Sequence, residues 1–397
     1  MPCPYRSYTL YHSQFVVYYH LFCLSEVFVL YLRIMKKIKV SLGERSYDIL
    51  VGNGVVSKLP GVIKELNFTG PIVFITDRTV LAKTAALVSP ILNRLPDEVY
   101  RVIVPSSESS KSVGIYQNVV QKITRKTRMH RPLIVALGGG VVGDLAGFVA
   151  ATYRRGVPII QIPTTLLAMV DSSIGGKVGI DLPEAKNLIG AFKQPSVVLI
   201  DPSFLKTLPA RQIRNGLAEI IKYGIISSRT FFSYLEDNVK KILSLDKKII
   251  ENVIQECASI KAGIVKEDEF DLKDVRIVLN FGHTLGHAIE TASGYSTAYN
   301  HGESIAIGMV MAGEIAVRLE MLKVDDLERI KNLLKNAGLQ LTARNVPFKE
   351  VVSSFLHDKK FIAGNNRFVL PIRIGSVKVV ENIPELLIKS VIRQYVK

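Results

Sequence analysis

The chain has 397 residues, 48% of them hydrophobic and 22% charged, which excludes a disordered polypeptide and leaves room for two domains. Its three cysteines, Cys3, Cys23 and Cys257, cannot build a disulfide framework, and with only Cys257 in the body of the chain they fit a reducing, cytoplasmic compartment. The net charge of +16 is scattered rather than blocked and accompanies no nucleic-acid motif, so it reads as a solvated surface whose field favours a polyanionic small molecule.

Residues 1–34 differ from the rest. They hold six of the fifteen tyrosines, two of the cysteines and almost no charge. Residues 15–32 are apolar, but His20 and Glu26 interrupt them and no small-residue cleavage site follows, so no membrane role is expected. Three readings stay open: a start mis-assigned ahead of Met35, which is preferred, an unusual extension, or an anchor.

From Met35 to Pro209 strand-like and helix-like runs alternate, with strands expected at 71–76, 99–104, 133–137, 158–162 and 196–200. That alternation predicts a Rossmann-like α/β domain with a mainly parallel sheet over 35–209. Beyond Pro209 apolar residues recur at three- and four-residue spacing over 210–226, 247–266, 284–291, 303–319 and 325–336. An all-helical domain over 210–397 follows, apart from a short hairpin at 367–380. The cleft between the two domains is the expected active site.

The apolar run 133–137 passes at once into Gly138-Gly139-Gly140-Val141-Val142-Gly143-Asp144, a strand, a glycine turn and a helix start. Gly138, Gly140 and Gly143 fit the spacing in which missing side chains let backbone N–H groups approach a pyrophosphate. The next strand ends in Thr164-Thr165 where a Rossmann fingerprint expects an acid, so the match is partial and an ordinary tight turn is the alternative.

Three of the seven histidines lie between 283 and 301. His283 and His287 are four apart and share one helix face, as in pairs that hold zinc, and His301 opens the next helical run. Glu219, in the amphipathic stretch 213–226, is the obvious carboxylate. Three protein ligands and an open position make a catalytic metal site. Two helical histidines can also be satisfied by carbonyls or water with no metal.

Asp171-Ser172-Ser173-Ile174-Gly175-Gly176-Lys177 and Lys186-Asn187-Leu188-Ile189-Gly190 are too polar and glycine-rich to be core, and such segments bind ligands. With Ile162–Ala168, Asn280–His287 and His301-Gly302-Glu303, they make the chain from about Lys37 onward closely resemble the 3-dehydroquinate synthase family of sugar-phosphate cyclases.

The resemblance implies a lyase of the shikimate pathway, on the route to chorismate and aromatic amino acids. It converts 3-deoxy-arabino-heptulosonate 7-phosphate to 3-dehydroquinate and phosphate. NAD is borrowed for oxidation at C5, phosphate leaves, the ketone is re-reduced, the ring opens and an intramolecular aldol step closes the carbocycle. The family's divalent metal, zinc or cobalt, would be held by Glu219, His283 and His301, which moves His287 from the metal to the substrate.

The same resemblance places NAD against Gly139, Gly140, Val141, Val142, Gly143 and Asp144, against Thr164, Thr165, Asp171 and Ser172, and beside Lys177 and Lys186. Ser106, Ser107, Glu108, Ser109, Ser110 and Lys111 match its adenosine-ribose segment, with Ser107 where glycine is usual; Asp77 is a weaker candidate, and Phe204, Leu205, Lys206 and Thr207 complete the pocket. Glu108 and Lys111 taken alone also read as a solvated pair. Substrate would meet Arg155, Lys177, Asn187, Lys222, Lys261, Arg276, Asn280, His287 and Lys360, the last chosen over Lys359. Arg155 reaches in from a neighbouring subunit in this family, which implies a homodimer.

One departure concerns Asp268-Glu269-Phe270-Asp271-Leu272-Lys273-Asp274-Val275-Arg276, one residue longer than the family pattern and without its glycine. Asp271 stands where a catalytic glutamate is usual, and its contact is expected to be longer or taken over by Glu269. The rivals are another sugar-phosphate cyclase, a metal-dependent polyol dehydrogenase that releases reduced cofactor, and a non-catalytic binding protein that keeps the fold. Lys261, Arg276 and Asn280 favour a carboxylated substrate.

Overall fold

A computed structural model describes residues 36–95, 98–182, 186–294, 298–356 and 366–397. The head 1–34 and Lys360 lie outside these residues.

Seven strands form one sheet: β1 (Lys36–Val40), β2 (Tyr47–Val51), β3 (Ile72–Asp77), β4 (Val99–Val104), β5 (Leu133–Gly138), β6 (Ile159–Pro163) and, further on, β9 (Val197–Ile200). Their order is β1-β2-β9-β6-β5-β3-β4, and every pairing is parallel except β1 with β2. The central strands are Val- and Ile-rich and buried along their whole length, as parallel strands covered on both faces must be. The chain leaves β3 toward β4 at one edge, then leaves β5 toward β6 on the other side. The crevice at the carboxyl ends of β3 and β5 is therefore a topological switch point, the place where open parallel sheets bind ligands.

The 171–190 region departs from expectation. Rather than a flexible ligand loop, it contains a second, antiparallel hairpin of β7 (Lys177–Ile180) and β8 (Ile189–Phe192). Val178 and Ile180 are buried against the helix Gly140–Thr152, where a side chain on Gly147 would lie 2.3 Å from Val178. Alternation of small and β-branched residues is the signal that the count of glycines and lysines obscured.

The C-terminal half is largely helical. Helices Ala210–Ser227, Lys247–Glu267, His283–Ala292, His301–Arg318 and Val324–Asn336 fall within two residues of the periodic runs. Arg229–Leu243 and Glu385–Tyr395 are helices beyond those expected. The first has a visible start signal, since Ser228 accepts the Phe231 N–H at 3.1 Å, with Phe232, Leu235, Val239 and Ile242 following on one face. A hairpin, β10 (Arg367–Arg373) and β11 (Ser376–Glu381), interrupts the helices where the sequence predicts one. One hydrophobic cluster runs from Val40 on the sheet to Val396, while a second fills the opposite face of the sheet beneath Gly140–Thr152 and the β7–β8 hairpin.

Candidate active site

Two helix starts and one helix centre assemble the candidate metal-ligating set. Helix Ala210–Ser227 is buried almost all round, which places Glu219 at 1% exposure near its middle. Asn300 and Glu303 form a capping box, each side chain accepting the other's backbone N–H at 2.9 Å, and this fixes His301 as the first residue of its helix. Arg211 anchors the same Glu303 carboxylate. Close approach then sets the separations: a Cβ on Gly302 would lie 2.3 Å from the Asn215 carbonyl oxygen, and one on Gly308 would lie 2.0 Å from that of Gly282. Only glycine lets the helices starting at His283 and His301 pack this tightly on each other and on the Glu219 helix.

Glu219, His283 and His301 each present a ligand atom within 4.8 Å of the others. His283 Nε2 lies 3.6 Å and His301 Nε2 3.4 Å from Glu219 Oε1, while Lys222 forms an ion pair with Oε2. Both Glu219 oxygens are buried; Lys222 takes Oε2, and Oε1 faces the two imidazoles. Burial would raise its pKa, but Lys222, His283 and His301 outweigh that and hold it well below the usual carboxylate value. Burial and Lys222 keep His283 neutral, well below its ordinary pKa. Desolvation pushes His301 down, but Glu219 and Glu290 reverse this and raise it to about 10. A proton therefore supplies the positive charge between those carboxylates, and a divalent cation with a neutral imidazole would satisfy the same demand. The donor set fits such a cation. His287, on the same helix, is about half exposed, outside the trio, with Nε2 3.9 Å from Glu290.

Among the expected substrate groups, Lys222, Lys261 and Arg276 lie near this corner and are already engaged. Lys222 is buried on Glu219. Lys261, also buried, donates to the Asp171 carbonyl at 2.8 Å and carboxylate at 2.7 Å, and Tyr223 donates to the same carboxylate at 2.8 Å. Arg276 NH1 donates to the carbonyls of Gly175 and Glu269, and its buried Nε has no partner. Lys177 is exposed and paired with Asp271; Glu269 instead binds Arg45 and Gln194. The longer loop thus delivers Asp271 to Lys177 through left-handed backbone at Asp271 (φ 57°) and Asp274 (φ 59°), and Glu269 does not replace it. Asn280 ends the short turn before His283, half-buried. Arg155 is exposed with φ 61°, at the end of the short 3-10 turn Tyr153–Arg155.

At the switch point, Asp77 caps its helix and accepts Ser106 Oγ–H at 2.7 Å; Ser107 and Ser109 bond each other, and Ser110 donates to Pro105. The glycine turn lies where expected, with a Cβ on Gly139 meeting Thr165 at 2.9 Å and one on Gly140 meeting Ser172 at 3.0 Å. Thr164 Oγ1 is buried without a partner. Lys111 is 4% exposed, bonded to Asp144 at 2.9 Å and to Asn187, with Asp181 3.8 Å away, so it is no solvated partner of Glu108. Lys186 stands 3.8 Å from both Glu108 and Glu290. Phe204 and Leu205 are core side chains, leaving Lys206 and Thr207 nearer the surface. Glu290, Tyr223 and Asp181 were not among the expected site residues; Glu290 alone had a readable signal, three residues past His287.

Comparison with known proteins agrees with this geometry. The 3-dehydroquinate synthase N-terminal family model matches residues 101–215 and the C-terminal model matches 216–361. The 3-dehydroquinate synthase of Desulforamulus reducens is 42% identical over 361 residues, 91% of this chain and 100% of that one. The chain belongs to the 3-dehydroquinate synthase family. Its activity is that family's phosphate-eliminating lyase reaction in the shikimate pathway. A 2-deoxy-scyllo-inosose synthase complexed with carbaglucose-6-phosphate, NAD+ and Co2+ superposes with TM-score 0.82 at 27% identity, covering 91% of this chain and 100% of that one. A 2-epi-5-epi-valiolone synthase of Streptomyces hygroscopicus with NAD+ and Zn2+ gives 0.81 at 26% identity, covering 89% and 98%. A butanol dehydrogenase of Thermotoga maritima, TM-score 0.61 at 16% identity over 88% and 96%, shares the fold alone. Among the described residues no helix is long and apolar enough to cross a membrane.

Proposed function

We propose that the chain carries out its family's reaction on 3-deoxy-arabino-heptulosonate 7-phosphate with a divalent cation, zinc or cobalt, at Glu219, His283 and His301. NAD would lie at the β3–β5 switch point. The observation that carries this reading is the convergence of two imidazoles on one oxygen of a buried carboxylate whose other oxygen is held by Lys222. When bound, the cation supplies polarisation of the C5 oxygen and the nicotinamide supplies reversible storage of a hydride.

The chain's own residues bind, orient and balance charge. Lys222 holds the Glu219 carboxylate ionised and faces the same corner. His287, half-exposed beside that corner, is positioned to hydrogen-bond substrate rather than metal. Lys177 carries an exposed ammonium whose partner Asp271 fixes its direction, suiting a phosphate or carboxylate oxygen. Lys261 and Arg276 are held by Asp171 and by backbone carbonyls, so they would set a positive field for the substrate carboxylate from fixed positions rather than fold onto it. Asn187 and Asn280 add amide donors. Gly139, Gly140 and the helix start beneath them would cradle the pyrophosphate, with Asp144 and Lys111 behind.

The family resemblance assigns Arg155, exposed in this chain, to a neighbouring subunit's site, which supports a homodimer. In this reading residues 35–209 hold the nucleotide and lend Arg155, Lys177 and Asn187 to the substrate, residues 210–397 supply the metal ligands and the other substrate groups, and the paucity of cysteine supports a cytoplasmic location. Incubating the purified protein with the heptulosonate phosphate, catalytic NAD and zinc or cobalt tests the reading. Phosphate and dehydroquinate should form together without net NADH. Stoichiometric NADH would make it a dehydrogenase, and preference for a sugar phosphate lacking a carboxylate would make it another cyclase.

A further inference from the structure

We propose that Glu290 is a positioning residue of the metal site: its carboxylate takes the Nδ1 edge of His301 and thereby turns Nε2 toward the cation held with Glu219 and His283. The inference rests on the three-ligand reading above.

Glu290 is 7% exposed, on the helix that carries His283 and His287, and a carboxylate so buried needs compensating charge. Three groups supply it. His301 Nδ1 lies 3.5 Å from Oε2, His287 Nε2 3.9 Å from Oε2 and Lys186 Nζ 3.8 Å from Oε1. The opposite edge of the same ring, His301 Nε2, lies 3.4 Å from Glu219. An imidazole with a carboxylate on one nitrogen and the ligand set on the other is the carboxylate–histidine–metal arrangement, in which the outer carboxylate selects the tautomer, fixes the ring plane and raises ligand basicity. His301 needs such a partner. It is the first residue of its helix, so no preceding turn restricts its side chain, and it is 30% exposed where His283 is 12%.

The geometry also admits another occupancy, since His287, Glu290 and His301 offer atoms within 4.8 Å of one another. A second divalent cation there would face the Lys186 ammonium across Glu290 and compete for a ring whose other nitrogen is already committed. Glu290 therefore acts through His301 and not as a ligand.

Co2+ titration of the metal-free, full-length protein tests this, with chelator competition for affinity, visible ligand-field bands for geometry and cobalt counted per chain. Glu290→Ala should weaken Co2+ binding about 10–100-fold and alter the bands while stoichiometry stays at one. Glu290→Gln, nearly isosteric and still able to accept from Nδ1–H, should fall between, which separates positioning from folding if the alanine variant proves unstable. Unchanged affinity and bands in both variants would overturn the proposal. So would two cobalt ions in the wild type and one in Glu290→Ala, which would make Glu290 a ligand. Cobalt binding that survives Glu219→Ala and His301→Ala would instead strike the three-ligand reading, and the proposal with it.

Discussion

At the metal corner the buried Glu219 carboxylate gives Oε2 to Lys222 and turns Oε1 to two imidazoles 3.4 and 3.6 Å away, whereas at the nucleotide crevice the buried Lys111 ammonium is already bonded to Asp144 and Asn187. The first region leaves acceptor capacity for a cation, on three helices held by a capping box and glycine contacts. The second satisfies itself: Asp77 holds Ser106, Ser107 holds Ser109, and Lys111 ties the β7–β8 hairpin to the glycine-turn helix. A ligand at the corner would take up the Glu219 Oε1 oxygen, while one at the crevice would meet side chains mostly bonded to one another, Thr164 Oγ1 excepted, and be read through backbone and glycine. Mutations should therefore act on ligand affinity in one region and on stability in the other.

The sharpest test removes a ligand. Glu219→Ala or His283→Ala should abolish tight metal binding and lower turnover by about a thousandfold or more, since polarisation by a bound cation is worth several kcal/mol and 1.4 kcal/mol is a factor of ten in rate. His287→Ala should keep its metal and lose turnover, because its imidazole lies outside the Glu219 trio. Metal content by elemental analysis decides it; equal loss in His283→Ala and His287→Ala would make His287 a ligand.

Lys111→Met tests the other side. It leaves Asp144 without its nearest countercharge, and breaking a buried pair costs about 3–5 kcal/mol. Burial already pushes the Asp144 pKa up, and Lys111 offsets this only in part. A carboxyl whose folded pKa exceeds its unfolded value binds more protons when folded, so its contribution to stability declines as pH rises through the folded pKa. The melting temperature of Lys111→Met should fall further below wild type at neutral pH than in acid at or below the raised Asp144 pKa, where protonation removes the lone charge. A loss of NAD affinity with unchanged melting would mean that Lys111 is a ligand contact rather than a tie.

The same contrast explains what the sequence disclosed. The histidine cluster was readable because the histidine count and helical spacing are local signals, and the parallel strands because a fully buried strand is an unbroken apolar run. Spacing alone chose His287, four residues from His283, and could not see that Gly302 and Gly308 draw the His301 helix onto Glu219; the family pattern supplied that. The β7–β8 hairpin was missed because its glycines and lysines resemble a loop until its partner strand is known. Lys111, Lys261 and Arg276 were legible as cations but not as cations already bonded, since Asp144, Asp171 and the Gly175 carbonyl are each remote from them in sequence.

Arg276→Ala joins the two behaviours. Loss of a charge facing the substrate carboxylate should cost about 1.5–3 kcal/mol of transition-state binding, at least about a tenfold fall in turnover. Its NH1 also bonds two backbone carbonyls, so a lower melting temperature should accompany that fall, with NAD affinity nearly unchanged. Arg276→Lys should recover part of the turnover and less of the stability, because one ammonium cannot reproduce the guanidinium's fixed fork. Intact turnover in Arg276→Ala would remove the argument for a carboxylated substrate from this residue.

The smallest effect is expected at Asp268, whose carboxylate accepts the backbone N–H groups of Leu272 at 2.9 Å, Lys273 at 3.1 Å and Val275 at 3.2 Å, winding the longer loop that carries Asp271 to Lys177. Desolvation pushes its pKa up, and those N–H groups outweigh this and hold it below the usual carboxylate value. A depressed folded pKa means that the stabilisation is present above the unfolded value, about 3.9, and is lost as pH falls through the folded one. Asp268→Asn keeps one acceptor oxygen and the shape but not the charge. It should melt slightly below wild type at neutral pH, and the gap should close as the pH is taken below about 4. Turnover should fall mainly through the substrate's KM, because the loop would still form but would hold Asp271, and with it the Lys177 ammonium, less firmly. A gap that widened in acid would show that the three N–H groups do not stabilise the ionised carboxylate.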